Sequence, residues 1–286
     1  MFFELTLYIH SKFLRKLCYN STMKSSIAGV LVDNITKHEA IEAIDNFVKS
    51  GQPHSVVTPY SELIVWALDN SSYRNILNNA DLSLPDGVGI LWAAKYLSSP
   101  KVGLWRSLLS IIFDRPYIRS VIQEQISGSR FIYDIAELAE EKNYSLSLVG
   151  GSGNVAAQSA YELKKLFSNL NIKLALSGRP FDAKIVEEIS RSNSDILLIA
   201  YSPPKQEIWL SQNLPDLNVR VAMGVGGSFD YIAKKHPVAP SWAKSWGLEW
   251  FWRLITQPWR LKRIWNAVPM FIWKIYKYKK YARSSN

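Results

Sequence analysis

DILLIAYSPPKQEIWLSQNLPDLNVRVAMGVGGSFD, residues 195–230, carries the logic of the fold. Ile196–Ala200 is a short apolar run that stops at a Pro-containing turn, as a buried strand does. Lys205, Gln206 and Glu207 cluster in the first turn of a helix beginning at this strand end. Val219–Met223 is a second apolar run, and it stops at the Gly-rich turn Gly224-Val225-Gly226-Gly227-Ser228-Phe229-Asp230. Strand, helix and strand in this succession build a parallel sheet, and in open α/β sheets ligands bind beyond the carboxyl ends of the strands. The turns after the strands are therefore the candidate sites.

The same alternation extends toward the N-terminus. Ile27–Val32 reads as a strand, and Thr36 with Glu39 forms a capping-box pattern ahead of a helical stripe of Ala40, Ile41, Ile44, Phe47 and Val48. His54–Thr58 is a strand followed by a helix over 61–68. Asp81–Leu84 is a strand that stops at Pro85-Asp86-Gly87, ahead of a helix over 88–96. Ser145–Val149 and Lys173–Leu176 complete the set. The pattern specifies an α/β fold with a Rossmann-like, mostly parallel sheet and helices on both faces, over residues 26–236. Residues 98–123, apolar and basic without strand logic, read as an inserted helical segment and a candidate second membrane contact. From Pro237 the strands stop. Residues 237–286 read as a basic, Trp-rich helical appendage holding seven of the eleven Trp.

A chain of 286 residues with 48% apolar and 20% charged side chains can bury a full core. The single cysteine, Cys18, excludes an intrachain disulfide framework and suits a reducing compartment. No apolar run approaches the roughly 18–20 residues needed to span a bilayer. The start, MFFELTLYIHSKFLRKL, lacks the charge order and cleavage site of a signal peptide. Residues 1–25 are read as an N-terminal extension, with Met23 a second candidate start. The last 34 residues, from Arg253, carry nine basic side chains and no acidic one, nearly all of the +10 net charge. Cations beside Trp and Tyr suit an anionic membrane surface, and they also suit a nucleic acid.

Five turns follow strands. At Thr58-Pro59-Tyr60, Thr58 is either a ligand-binding hydroxyl or part of a strand-ending turn. Asp86 either caps the next helix or stands at the mouth of the sheet as a general base. Gly150-Gly151-Ser152-Gly153 offers bare backbone amides to a diphosphate, although its spacing is not GxGxxG and no acidic residue stands about 20 positions on. A nicotinamide cofactor is thus poorly supported. A solvated first turn accounts for Glu207, whereas Lys205 at the positive end of a helix calls for an anionic ligand. At Gly226-Gly227, ligand approach and plain backbone packing weigh equally. The four His are dispersed, no Asp-x-Asp occurs, and no metal or other cofactor is expected.

In their order these turns resemble the WecG/TagA/CpsF glycosyltransferases, family 26, over roughly Ile27 to Arg263. The resemblance is carried by Thr58-Pro59, Asn78-Asn79-Ala80-Asp81, Leu84-Pro85-Asp86-Gly87 and Pro204-Lys205-Gln206-Glu207. It continues through residues 224–230, Ala239-Pro240, and Gly247-Leu248-Glu249-Trp250 with Arg253, Pro258, Arg260 and Arg263. It implies inverting, metal-independent transfer of N-acetylmannosamine or a related sugar from a UDP donor. The implied acceptor is a sugar on undecaprenyl diphosphate at the cytoplasmic membrane face. By the same resemblance Asp86 is the base and Thr58 a catalytic partner, and Arg253, Arg260 and Arg263 fold over the site. At positions 253, 260 and 263 the spacing puts them on one helical face. Diphosphate or substrate contacts are expected from Tyr60, Gly87, Gly150, Gly151, Lys205, Gln206, Glu207, Gly226 and Gly227. This makes membrane the favoured partner over nucleic acid, with Lys274 to Arg283 facing lipid and the oligomeric state open. Removing the tail after about Gly247 is expected to leave a soluble, inactive protein.

The chain departs from the family pattern at several points. Tyr60 stands where the family has Asn, Ser202 and Lys234 where it has Gly, and Val238 where it has Arg. Gly128-Ser129-Arg130 stands for Gly-Ser-Asp, and the insert 98–123 is atypical. Two rival readings stay open: a non-enzymatic membrane or nucleic-acid binder built on the tail, and another nucleotide-dependent enzyme on the same fold.

Overall fold

The computed structural model describes residues 24–178, 183–240, 243, 246 and 248–284. The N-terminal extension, apart from its last two residues, lies outside the described residues. The chain opens with a hairpin, β1 (Lys24–Ile27) and β2 (Val30–Asp33). The single strand expected over Ile27–Val32 is therefore broken. Ala28 and Gly29 both have positive φ, 51° and 90°, which reverses the chain with the twist of an antiparallel pair. The hairpin is pinned to the main sheet by Asp33, whose Oδ2 accepts from the Ser83 amide at 2.8 Å. Asn78, one of the motif residues, closes it from the other side by bonding Leu31 N–H and Gly29 C=O.

Next comes α1 (Lys37–Ser50), whose Thr36–Glu39 capping box forms as its spacing requires and which ends at left-handed Gly51. β3 (His54–Val57), α2 (Ser61–Asp69), α3 (Ser71–Asn78), β4 (Leu82–Ser83) and α4 (Val88–Ser98) follow. Within the insert lie α5 (Leu104–Phe113) and α6 (Arg115–Ile118). Then come α7 (Gly128–Lys142), β5 (Ser145–Gly150), α8 (Val155–Leu166) and β6 (Asn171–Leu176). α9 (Ala183–Ser192), β7 (Ile196–Ala200), α10 (Lys205–Asn213), β8 (Val221–Gly224) and α11 (Ser228–Ile232) complete the α/β part. Beyond it lie α12 (Glu249–Thr256), α13 (Leu261–Trp265) and, after a π turn at Asn266–Met270, α14 (Phe271–Ser284).

The main sheet has the order β4-β3-β8-β7-β5-β6, and every pairing in it is parallel. Side chains alternate between its faces. Ile196, Leu198 and Ala200 of β7 join the core beneath α1, α7 and α8. Leu197 and Ile199 join the opposite core with α9 and α10. Burial on both faces is why the strands read as unbroken apolar runs. A further cluster unites the hairpin, α2, α3 and α4 with Phe271 and Ile275 of α14.

The tail is thus partly core. Lys279 is buried, donates to the carbonyl of Ser99 at 2.7 Å and lies over the Tyr96 ring. Lys274 pairs with Asp69, and Lys277 lies over the Trp273 ring. The expectation that the tail lysines together face lipid does not hold for Lys274 and Lys279, because each meets an acceptor on the body of the fold. Two departures have a backbone meaning. Ser202 and Lys234 have φ of 62° and 57°, a conformation that glycine adopts without strain.

Candidate active site

Two cavities lie along the carboxyl edge of the sheet. The larger, about 430 Å³, collects Thr58 after β3, Asp86 and Gly87 after β4, and Pro203 and Gln206 after β7. Val225, Gly226 and Gly227 after β8 complete that wall. Ser127, Gly128 and Ser129 at the start of α7 face into it, as do Tyr60, Glu62, Arg253, Arg260 and Arg263. The smaller cavity, about 250 Å³, is lined by Gly151 and Ser152 after β5, Gly178 after β6, Tyr201 and Ser202 after β7, and Asp230. Gly226 and Gly227 line both. One strand-end turn is therefore the junction between an arginine-rich chamber and a glycine-lined cleft.

Gly87 holds the N-cap of α4, so Asp86 is not itself the cap residue. Asp86 Oδ2 accepts from the Gly128 amide at 3.4 Å. Gly128 is where Thr58 and Asp86 meet. A Cβ there would lie 3.4 Å from Thr58 Oγ1 and 3.7 Å from Asp86 Oδ2. A hydroxyl and a carboxylate are thus brought to one point by a residue with no side chain. In the sequence Gly128 stands only as the first residue of Gly128-Ser129-Arg130, whose departure from Gly-Ser-Asp lies at Arg130. The charge change at Arg130 falls on an exposed side chain outside both cavity linings.

The three arginines do not share a helix face. Arg253 is on α12, Arg260 ends the 3-10 turn Pro258–Arg260, and Arg263 is on α13. Pro258 interrupts the helix, and the bend turns all three into one cavity instead. Arg263 donates from Nη2 to the Tyr60 hydroxyl at 2.7 Å and from Nε to Glu62 at 3.1 Å. The Tyr60 hydroxyl in turn donates to Glu62 at 2.9 Å. Burial works against the Arg263 charge, but Tyr60 and Glu62 more than offset it and leave its pKa raised. Arg260 is different. Burial first, and then the charges of Arg263 and Arg253, push its pKa down. A cation held among like charges gains most from an arriving anion. A Cβ on Gly227 would stand 3.4 Å from Arg260 Nη2, so this cation sits over the junction turn.

The other expected residues divide. Gln206 is buried and lines the large cavity. Its Oε1 accepts from the Gly226 amide at 2.9 Å and its Nε2 donates to Glu207 at 2.8 Å. Glu207 is buried behind it, also accepts from the Tyr73 hydroxyl, and lines neither cavity. Burial pushes its pKa up to about 7. Lys205 is exposed and lines neither cavity. Gly150 packs against the Ala200 carbonyl, where a Cβ would come within 2.8 Å, and leaves the cleft lining to Gly151. Sequence reading missed Trp92, Tyr231, Leu108 and Ile111, which also line the large cavity. Their signal was diluted because each belongs to a helix with its own packing reason to be apolar. Among the described residues no three His, Cys, Asp or Glu side chains group closely enough to hold a metal ion.

Residues 25–105 and 116–285 match the family described as "Glycosyl transferase WecG/TagA/CpsF family". The chain is 26% identical over 226 residues to the N-acetylglucosaminyldiphosphoundecaprenol N-acetyl-beta-D-mannosaminyltransferase of Bacillus spizizenii (strain ATCC 23059 / NRRL B-14472 / W23), covering 79% of each chain. It is 24% identical over 268 residues to a protein of the same name from Staphylococcus aureus (strain MRSA252), covering 91% of this chain and 95% of that one.

Proposed function

The chain belongs to the WecG/TagA/CpsF glycosyltransferase family, and from that premise we propose that it moves N-acetylmannosamine, or a closely related sugar, from a UDP donor to N-acetylglucosaminyl-diphospho-undecaprenol. The acceptor and sugar are those named for the relatives. The observation that carries the reading is the shared cavity of Asp86 and Thr58 with Arg253, Arg260 and Arg263, opening at Gly226-Gly227 onto a glycine-lined cleft. The nucleotide occupies the cleft, its diphosphate bridges the junction beneath Arg260, and the transferred sugar projects toward Asp86.

In the transfer step an acceptor hydroxyl oxygen forms a bond to the anomeric carbon while the bond from that carbon to the β-phosphate oxygen breaks. Asp86 takes the hydroxyl proton. The electron pair of the broken bond goes to UDP, and the arginines stabilise its extra negative charge without a metal. Thr58, touching the same point as Asp86 across Gly128, orients the carboxylate or the incoming hydroxyl.

The decisive assay incubates a panel of UDP-sugars with a lipid-diphosphate-sugar acceptor and reads the lipid product by mass spectrometry. Asp86→Asn is expected to lower turnover on the order of a thousandfold with UDP-sugar binding retained. Wild-type turnover in that variant removes Asp86 from the chemistry. Turnover is expected to survive excess EDTA, and loss of activity that Mg²⁺ restores would overturn the metal-free reading. A thermal shift with NAD but not UDP would favour a different nucleotide-dependent enzyme.

A further inference from the structure

The amphipathicity of α5 is inverted. Ser107 and Ser110 are 1% and 8% exposed, whereas Trp105 and Phe113 are 78% and 80% exposed, with Leu109 and Ile112 open beside them. The inner edge packs Leu104, Leu108 and Ile111 against the α2–α4 cluster, so the helix is held in place while a second apolar face points outward. Soluble surfaces scatter single apolar side chains, but four large ones on one short helix form a patch. The family match skips residues 106–115, which cover most of α5.

Two observations indicate what covers it. Ile112 is exposed and also lines the large cavity, as do Trp246 and Trp250 from the C-terminal segment. Apolar side chains from two separate elements thus rim one mouth. In sequence, cations outnumber acids around the patch: Lys101, Arg106 and Arg119 are exposed against one exposed carboxylate, Asp114, which also caps the following turn by accepting from the Tyr117 amide. Exposed Trp and Phe with cations beside them suit the boundary between anionic headgroups and acyl chains better than a protein partner.

We propose that α5 inserts its Trp105–Leu109–Ile112–Phe113 face into the acyl layer of an anionic bilayer and seats the cavity mouth on the membrane surface. It forms a contact separate from the basic tail, to which it is tied through α4 and through the bonds of Lys279 to Ser99 and Val102. Insertion is independent of which sugar is transferred, so a failed transferase assay leaves it standing.

The test uses the full chain with Cys18→Ser, labelled with an environment-sensitive fluorophore at Trp105→Cys, at Phe113→Cys, or at Glu141→Cys on α7, which packs on the other side of the sheet. Vesicles of phosphatidylcholine with phosphatidylglycerol are added, with or without acyl-chain nitroxide. Labels at 105 and 113 are expected to shift to the blue and be quenched, and the label at 141 to do neither. The pair Trp105→Gln and Phe113→Gln should weaken vesicle partitioning about tenfold with an unchanged melting temperature. It should also leave turnover on a short-chain, water-soluble acceptor unchanged. If the label at 113 stays aqueous while the protein sediments with vesicles, the tail alone binds membrane and the proposal fails. It fails equally if the blue shift appears without vesicles as protein concentration rises, which identifies a second copy as the occupant.

Discussion

At residue 128 a missing side chain leaves Asp86 and Thr58 facing one point of the cavity, where the proposed mechanism has them act together. Gly128→Val would drive a branched side chain between them and is expected to lower turnover by roughly a hundredfold. Because the position borders a cavity, circular dichroism and thermal melting should change little. Ser202 illustrates the reverse case, a side chain where the backbone favours none. Its φ of 62° is a strained setting for a residue with a Cβ, and Ser202→Gly should raise unfolding stability by about 0.5–1 kcal/mol in urea titration. Glu207 gives the chain a pH signature. Its pKa rises from 4.5 to about 7 on burial, so between those values the folded state holds a proton that the unfolded state releases. Stability therefore falls as pH rises from about 4.5 to about 7 and is level above that, by roughly 3 kcal/mol in all. Glu207→Gln should flatten this part of the stability profile. A slope that persists in the variant would place its origin elsewhere.

Among the elements, the C-terminal helices combine cavity lining with packing of the core. α14 is an integral part of the packing: Phe271 and Ile275 lie in the same cluster as Trp92 and Leu63. Phe271→Ala should cost about 3–4 kcal/mol, measured by denaturant unfolding. Ending the chain near residue 247 would expose that cluster, so loss of activity on truncation would mix unfolding with loss of the arginines. Arg260→Ala separates the two effects. It should leave the melting temperature nearly unchanged and reduce turnover by on the order of a hundredfold or more. Unchanged turnover would assign the cation to lipid headgroups. The break at Pro258 explains why helical periodicity misjudged these residues. A heptad-like spacing is meaningful only along one continuous helix, and Arg253, Arg260 and Arg263 converge because the helix is interrupted.

For the molecule as a whole, a net charge of +10 and exposed aromatics on the C-terminal segment make a salt-sensitive membrane affinity the expectation. Partitioning into anionic vesicles should fall at least about tenfold between about 0.1 M and 0.5 M salt, and salt-independent binding would assign the affinity to apolar insertion alone. Among the described residues no helix is long and apolar enough to cross a membrane. Much of this architecture was legible in the chain. The alternation of apolar strands with helices, the capping box at Thr36, the turns at Thr58, Asp86 and Gly226, and the basic tail are all local patterns, set by burial on both sheet faces and by backbone chemistry within a few residues. What local pattern could not show is convergence. Gly128 lies 42 residues from Asp86, and Arg263 lies 203 residues from Tyr60. The hairpin turn at Ala28-Gly29 was hidden inside an apolar run, and the inverted burial of α5 was hidden in a helix whose both faces carry apolar residues. The sequence alone determined most of the strand–helix alternation, and that the turns beyond the strands' carboxyl ends are the candidate sites. Only the tertiary structure decided which of those ends share a cavity, because strand order in the sheet is fixed by packing between distant segments.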